Sequence, residues 1–301
     1  MSSAMVGIVV PLYAWPTPDV YERVWKRVKE AARSFPDAPL VVIVNPSDGP
    51  GQFPPHEHYI RAVQLLKAQN INIIGYVKTE WGSRNIKDVK RDIDLYSGWA
   101  TLGPNLALNG IFVDEAPNAW MKPEEHVSYY EDLYKYIRNG THVWGTKGVV
   151  MLNPGSHTIH SYLKAGDILV VFENYYDARR RFPMASYWEH MQFRVDPSIQ
   201  YCNPFQYRHP LLDVRKMDRS RLAGLVFECE GEEEMKNAVN LAIERRIGWI
   251  YVTDDHFEDK NPWDTIPAYW ESFVKYVDQR NKEHQERVRT KSKARGCCCS
   301  C

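Results

Sequence analysis

Residues 108–115, which read LNGIFVDE, show the pattern that decides the fold: a short apolar run that ends in charged side chains. A second run of this kind, DILVVFE, occupies residues 167–173. Both runs are continuously apolar, which is typical of parallel strands whose two faces are buried. Six more apolar runs lie elsewhere in the chain, before, between and after these two. The predicted strands are residues 6–12, 40–45, 71–77, 108–114, 148–153, 167–173, 222–227 and 248–252.

Most of these runs are followed by a segment whose apolar residues recur at helical spacing, such as Val127, Tyr130, Tyr134 and Ile137 after the fourth run. Eight strands that alternate with helices predict an α/β fold with a single closed domain, the (β/α)8 or TIM barrel. An open nucleotide-binding sheet is less consistent with the sequence, because no glycine-rich phosphate loop follows the first run.

The predicted barrel occupies residues 1–283. A long polar and aromatic stretch between Tyr175 and Ser220 predicts an elaborated loop after the sixth strand. Residues 284–301 are charged, lack a packing pattern and end in CCCSC. We therefore expect this last segment to be a flexible, disordered tail.

The composition argues against several classes of protein. Thirty-eight basic residues balance 38 acidic ones, so no nucleic-acid partner is expected. No apolar run approaches the roughly 20 residues needed to span a bilayer, and the N-terminal residues predict a strand rather than a signal peptide. Four of the six cysteines lie in the last five residues. No disulfide framework is visible, and an intracellular, cytoplasmic location is expected.

Acidic side chains at strand ends are the candidate catalytic groups, because the active site of such a barrel lies at the carboxyl ends of its strands. Asp114 and Glu115 follow the fourth run, and Glu173 ends the sixth. Glycoside hydrolysis needs one carboxylic acid to protonate the leaving oxygen and a second carboxylate to attack or to activate water. We favour Glu115 and Glu173 as this pair, with Asp114 tuning the charge or contacting sugar. Each acid also has a structural alternative. Asp114 could cap a helix, Glu115 could form a salt bridge, and Glu173 could anchor the loop that follows it.

Other polar or aromatic side chains at strand ends are candidate substrate contacts. They are Tyr13, Asn45, Lys78, Thr79, Trp81, Asn153, Asn174 and Asp254. Trp81 could be a platform for a sugar ring or could pack within its loop, and Asn45 could simply belong to a tight turn. The chain has 10 Trp and 18 Tyr residues. Core packing explains most of them, and a sugar-binding cleft is one further reason for the excess.

No metal or cofactor is predicted. His56 and His58 lie two residues apart near a predicted helix start, which is more typical of a solvated turn than of a ligand set. Asp254 and Asp255 could hold a cation, but substrate binding or capping of the following loop is the more typical use of such a pair.

Six motifs at predicted strand ends together resemble a known family. In chain order they are NPSDGPG at residues 45–51, GYVKTEWGSR at 75–84, GIFVDEAP at 110–117, MLNPG at 151–155, VVFEN at 170–174 and YVTDD at 251–255. In this order they resemble the spherulin 4-like (spherulation-specific) family over nearly the whole barrel. That family includes fungal glycoside hydrolases that cut galactosaminogalactan within stretches of α-1,4-linked N-acetylgalactosamine.

The resemblance implies a barrel hydrolase without a metal cofactor, whose partner is a polysaccharide or oligosaccharide. The family's Asp-Glu pair after the fourth strand would fall on Asp114 and Glu115, and its glutamate after the sixth strand on Glu173. Trp81 stands where the family often has a tyrosine, and an N-terminal secretory segment is not expected. The alternatives are a catalytically silent barrel that binds glycans or serves as a membrane-tethered scaffold, and a glycosidase of another linkage class.

The C-terminal cysteines Cys297, Cys298, Cys299 and Cys301 follow a basic segment. Such a cluster resembles a lipidation site, above all for palmitoylation. Two lipids, or one lipid together with basic charge, would attach the chain stably to a membrane. The alternatives are reactive thiols in a disordered tail and metal binding by clustered thiolates.

Overall fold

The computed structural model describes residues 5–69, 71–156, 158–177, 218–256 and 261–296, with side chains described as far as residue 290. Eight parallel strands close into one barrel in chain order, which confirms the predicted (β/α)8 fold. The strands are β1 (Gly7–Leu12), β2 (Leu40–Val44), β3 (Asn72–Lys78), β4 (Gly110–Asp114), β5 (Val149–Leu152), β6 (Ile168–Tyr175), β7 (Leu222–Phe227) and β8 (Trp249–Val252).

Helices follow most of the strands. They are α1 (Pro18–Val20), which continues through a π-helical stretch (Tyr21–Trp25) into α2 (Lys26–Ser34), then α3 (Glu57–Lys67), α4 (Ile86–Gly98), α5 (Val127–Ile137), α6 (Gly231–Arg245) and α7 (Trp270–Gly296). The crossover from β5 to β6 contains a short 3₁₀ helix, His160–Lys164. The elaborated loop predicted after the sixth strand falls largely on residues 178–217, outside the described residues.

The core lies inside the barrel and between the barrel and its helices. Nearly every strand residue is buried, as the continuous apolar runs predict. Trp25, Trp99 and Tyr96 are completely buried, so much of the aromatic content is packing. At Gly75 a Cβ would lie 2.6 Å from the Tyr96 ring, so the absence of a side chain lets α4 pack closely against β3.

The last helix extends further than the sequence predicts. Its first half packs apolar residues such as Phe273 and Val277 into the core. The helix then continues to Gly296, so residues 284–296 are helical where a disordered tail was expected. Glu283 lies 3.3 Å from Arg280 and 3.4 Å from Arg287, and such charge pairs one turn apart support the helix beyond the end of its apolar face. The four candidate lipidation cysteines lie outside the described residues.

The same helix holds the start of the barrel. The buried Asn281 accepts a hydrogen bond from the Val6 N–H at 3.0 Å and donates to the carbonyl oxygens of Val6 at 2.9 Å and Asp37 at 2.6 Å. The chain leading into β1 is therefore fixed by a residue near the other end of the sequence. Within the described ranges, no helix combines the length and the apolar character that crossing a membrane requires.

Candidate active site

The carboxyl rim of the barrel contains several residues with a left-handed backbone. Asp114 ends β4, and the next residue, Glu115, has a φ of 55°. Glu80, Trp81 and Glu228, which follow β3 and β7, have φ values of 50°, 54° and 54°. In a regular strand Asp114 and Glu115 would face opposite sides, and the turn at Glu115 removes that constraint. Such conformations are strained in non-glycine residues and cluster at functional sites.

Asn153, directly after β5, joins two of the predicted catalytic residues. Its side-chain Nδ2 donates to Asp114 Oδ1 at 2.8 Å and to Glu173 Oε2 at 2.7 Å. Since both oxygens contact one nitrogen, they are at most about 5.5 Å apart. The Gly155 N–H donates to Asn153 Oδ1 at 2.8 Å, which directs the amide NH2 group toward the two carboxyl groups.

Glu173 is placed by an irregularity in β6. The pairing of β6 with β7 shifts between Val170 and Phe172, and such a bulge changes the direction of the side chains that follow. The Glu173 N–H then donates to the carbonyl oxygen of Gly155 at 2.8 Å. The loop after β5 therefore fixes both the backbone and the carboxyl group of Glu173.

Of the two carboxyl groups, that of Asp114 is the better stabilised in its ionised form. Burial raises the pKa of its carboxyl group to about 6. Hydrogen bonds from the Tyr76 hydroxyl, the Glu115 backbone N–H and the Asn153 amide favour the ionised form and lower this pKa, while the neighbouring Glu115 charge raises it. Three donors therefore partly offset the effect of burial on Asp114.

Glu173 holds its proton more tightly. Burial and the negative charge of Asp114 raise the pKa of Glu173 to about 7, and hydrogen bonds from Asn153 and the Trp263 side chain lower it. Two carboxyl groups this close resist simultaneous ionisation. Near neutral pH the arrangement favours one proton on the pair, carried mainly by Glu173.

Two tyrosines lie beside the carboxyl pair. The rings of Tyr13 and Tyr76 pack edge to face with centroids 5.6 Å apart. Burial raises the pKa of the Tyr13 phenol well above its ordinary value, and the charges of Asp114 and Glu173 add to this shift. Both phenols therefore stay protonated near neutral pH, and that of Tyr76 donates to Asp114.

Glu115 and Thr79 lie at the β3–β4 side of the rim. Glu115 Oε2 accepts the Glu80 N–H at 3.1 Å, and the Glu115 side chain is partly accessible. Thr79, a predicted substrate contact, is completely buried in this structure and bonds to its neighbours in the protein. Its hydroxyl lies 2.7 Å from the Asp114 carbonyl oxygen and 2.8 Å from the Tyr130 hydroxyl, which fixes the end of β4 from below.

The other predicted substrate contacts divide into two groups. Asn45 Oδ1 accepts the Gly49 N–H at 3.0 Å, and Asp254 Oδ1 accepts the Ala268 N–H at 3.1 Å, so these side chains brace a turn and a loop, the alternatives that the sequence left open. Asn174 Oδ1 likewise accepts a backbone hydrogen bond, from the N–H of the adjacent Tyr175 at 2.9 Å. Lys78 and Trp81 keep accessible side chains: Lys78 Nζ lies 3.5 Å from Asp48, and Trp81 is 47% exposed.

Sequence reasoning missed two residues that contact the pair. Tyr76 lies inside β3, and only its position near a strand end hinted at a role. Trp263 donates its indole N–H to Glu173 from the loop after β8. No local pattern marks Trp263, because its contact joins residues far apart in the chain.

The family described as spherulation-specific family 4 matches residues 7–277. The chain belongs to this family. The resemblance seen in the six motifs is thus confirmed. Spherulin-4 of Physarum polycephalum is 32% identical to this family 4 chain over 173 residues, which make up 58% of the chain and 46% of that relative. The match therefore spans less than half the length of that curated relative.

Solved structures give the same picture of the fold. Aspergillus clavatus Sph3, solved in complex with GalNAc, matches with a TM-score of 0.70 and 25% identity, covering 92% of this chain and 98% of Sph3. An endocellulase from Pyrococcus horikoshii matches with a TM-score of 0.53 at 10% identity, covering 91% and 92% of the two chains. A Clostridium longisporum endoglucanase matches with a TM-score of 0.52 at 12% identity, covering 94% of this chain and 99% of the endoglucanase. This family 4 chain therefore has a barrel similar to those of glycoside hydrolases.

Proposed function

We propose that this member of spherulation-specific family 4 is a glycoside hydrolase that cuts within chains of α-1,4-linked N-acetylgalactosamine or galactosamine. The observation that carries the proposal is the carboxyl pair of Asp114 and Glu173, joined by the Asn153 amide at the carboxyl rim. Glycosidases use two carboxyl groups in this way. The complex of the related Sph3 with GalNAc supports the class of sugar.

The environments of the two carboxyl groups favour a division of roles. Glu173 has the higher pKa, so it is the proton donor to the leaving glycosidic oxygen. Asp114, with three donors on its carboxyl group, is the ionised partner that faces the anomeric carbon. This differs from the pair favoured by the sequence, in which Glu115 had the place now given to Asp114. Glu115 is instead a candidate contact for a sugar hydroxyl or amide.

The upper bound of about 5.5 Å on the distance between Asp114 Oδ1 and Glu173 Oε2 favours a retaining reaction. Carboxyl groups about 5–5.5 Å apart are typical of retaining glycosidases, whereas inverting enzymes need about 6.5–9.5 Å. In the first step Glu173 gives its proton to the glycosidic oxygen, the bond from that oxygen to C1 breaks, and Asp114 forms an ester with C1. In the second step ionised Glu173 takes a proton from water, whose oxygen attacks C1 and releases Asp114.

A reducing-end assay on a panel of α-linked hexosamine polymers tests the proposal. We expect Glu173→Gln and Asp114→Asn each to lower kcat by at least about a hundredfold. Glu283→Gln and Asp132→Asn make the same chemical changes at exposed positions away from the rim, and they should keep full activity.

The same polymers, tested for binding as well as for cleavage, separate the alternatives. Binding of the polymers without release of reducing ends would favour the catalytically silent glycan-binding barrel. Cleavage of a different polymer with the same loss in Glu173→Gln would favour a glycosidase of another linkage class. Full activity of both carboxamide variants would rule out the assigned pair.

A further inference from the structure

Trp15 is an exposed aromatic side chain with a fixed position. It lies in the loop after β1 and is 42% exposed. Its indole packs against Tyr59, with ring centroids 5.1 Å apart and ring planes at 85°, and against His56, with centroids 5.4 Å apart and planes at 58°. Tyr59 is buried and its hydroxyl bonds to the Asn45 carbonyl oxygen, so the support beneath Trp15 is rigid. Apolar surface is thus held in a set orientation toward solvent.

The neighbouring His56 presents a hydrogen-bond donor. His56 caps the start of α3, and its Nδ1 accepts the His58 N–H at 3.2 Å. Because Nδ1 acts as the acceptor, the proton of the neutral ring is on Nε2. The imidazole is exposed, so this N–H is available beside the indole. An apolar face and a nearby N–H donor together match the surface of a pyranose, which has an apolar C–H face and polar substituents.

Trp15 follows closely after a residue that lies beside the carboxyl pair. Tyr13, whose phenol feels the charges of Asp114 and Glu173, is only two residues earlier. Two residues of chain span at most about 7 Å. The Cα atom of Trp15 is therefore within about 7 Å of the Cα atom of Tyr13, so a neighbouring unit of a chain bound at the carboxyl pair is the ligand that we expect on the indole.

We propose that Trp15 and His56 form a further sugar-binding subsite, which rests on the glycosidase function proposed above. The indole stacks on the apolar face of a hexosamine unit, and His56 Nε2–H donates to one of its hydroxyl or acetamido oxygens. The subsite binds a unit of the polysaccharide that does not react. It therefore strengthens the binding of long chains and leaves the shortest cleavable oligosaccharides unaffected.

The test compares oligosaccharides of increasing length. For α-1,4-linked N-acetylgalactosamine oligomers, we expect Trp15→Ala to lower kcat/KM roughly tenfold for the longest chains and less than twofold for the shortest substrate that is cut. Trp15→Phe should restore most of the loss. His56→Asp keeps the helix cap and removes the donor, and it should lower kcat/KM for long chains about threefold. A loss that is equal at all lengths would overturn the subsite.

A matched control and a binding measurement separate this inference from the proposed reaction. Phe53 is 46% exposed but packs against Gly98 of α4, so Phe53→Ala should behave as the wild type at every length. Calorimetry with the same oligomers in a Glu173→Gln background measures binding without turnover, and Trp15→Ala should weaken it about tenfold. Trp15-dependent binding by a wild type that cuts nothing would support the subsite and refute the hydrolase. Equal binding by Trp15→Ala and Phe53→Ala would refute the subsite.

Discussion

Asn153 is the residue on which the candidate site depends most. Its amide donates to both carboxyl groups, so its removal should disturb their geometry and protonation together. We expect Asn153→Ala to lower kcat about a hundredfold, as for the loss of other preorganised donors. Because donation from Asn153 lowers the pKa of both groups, both limbs of the pH profile of kcat/KM should move to higher pH. An unchanged profile in an active variant would contradict this role.

The pH dependence of the wild type follows from the same pair. Asp114, with a pKa raised to about 6, must be ionised, so activity should fall as the pH drops below about 6. Glu173, with a pKa raised to about 7, must be protonated, so activity should fall as the pH rises above about 7. The profile of kcat/KM for the free enzyme should therefore be a narrow bell between these values. A flat profile from pH 5 to 8 would be inconsistent with these roles.

The raised pKa of Glu173 also affects stability. The folded state binds this proton more tightly than the unfolded state, so the contribution to stability is complete below the ordinary pKa of 4.5 and is lost as the pH rises through about 7. Glu173→Gln does not ionise and avoids this loss. At pH 8 we expect it to be more stable than the wild type by on the order of 2 kcal/mol, with no such gain at pH 4.5. Thermal melts at both pH values measure the difference.

At the scale of the elements, the strands could be predicted because they are continuous apolar runs that stop at polar residues. β4 and β7 end where the sequence predicts, and β6 continues only two residues beyond its predicted end. The end of α7 could not be predicted in this way. Its apolar spacing stops near Val277, and the helix then continues through charge pairs such as Glu283 with Arg287, which create no apolar pattern.

The site was predictable only in part. A polar residue at a strand end identifies the rim, but the direction of its side chain depends on the local backbone. Thr79 turns beneath β4, and Asp254 turns toward the loop that precedes α7. Trp263 reaches Glu173 through a loop whose path is fixed by tertiary packing, so no local sequence pattern could reveal it.

The junction of β3 and β4 offers a test of how an element supports the site. Thr79→Val removes a buried hydroxyl and leaves the Tyr130 hydroxyl without this partner. We expect a loss of about 1–3 kcal/mol in the free energy of unfolding, with a fall in kcat because the end of β4 carries Asp114. Thr146→Val, at an exposed position before β5, is the matched control. Chemical denaturation and steady-state kinetics measure the two effects, and unchanged stability would contradict the support role.

At the scale of the whole molecule, we propose that the cysteines at residues 297–299 and 301 attach the chain to a membrane through lipids. Replacing all four by serine should move the protein from the membrane fraction to the soluble fraction of eukaryotic cells. Hydrolysis by the purified protein should not change, because the barrel rim is untouched. Identical partitioning of the serine variant and the parent would refute lipid attachment.

The contact of Asn281 with Val6 has a consequence for synthesis on the ribosome. The residue that secures the entry to the first strand is translated after all eight strands. A nascent chain that stops short of α7 therefore lacks the hydrogen bonds that hold the segment before β1, and we expect proteases to cut that segment more readily than in the finished protein. We therefore expect the segment before β1 to become fully protected only after the last helix has emerged from the ribosome.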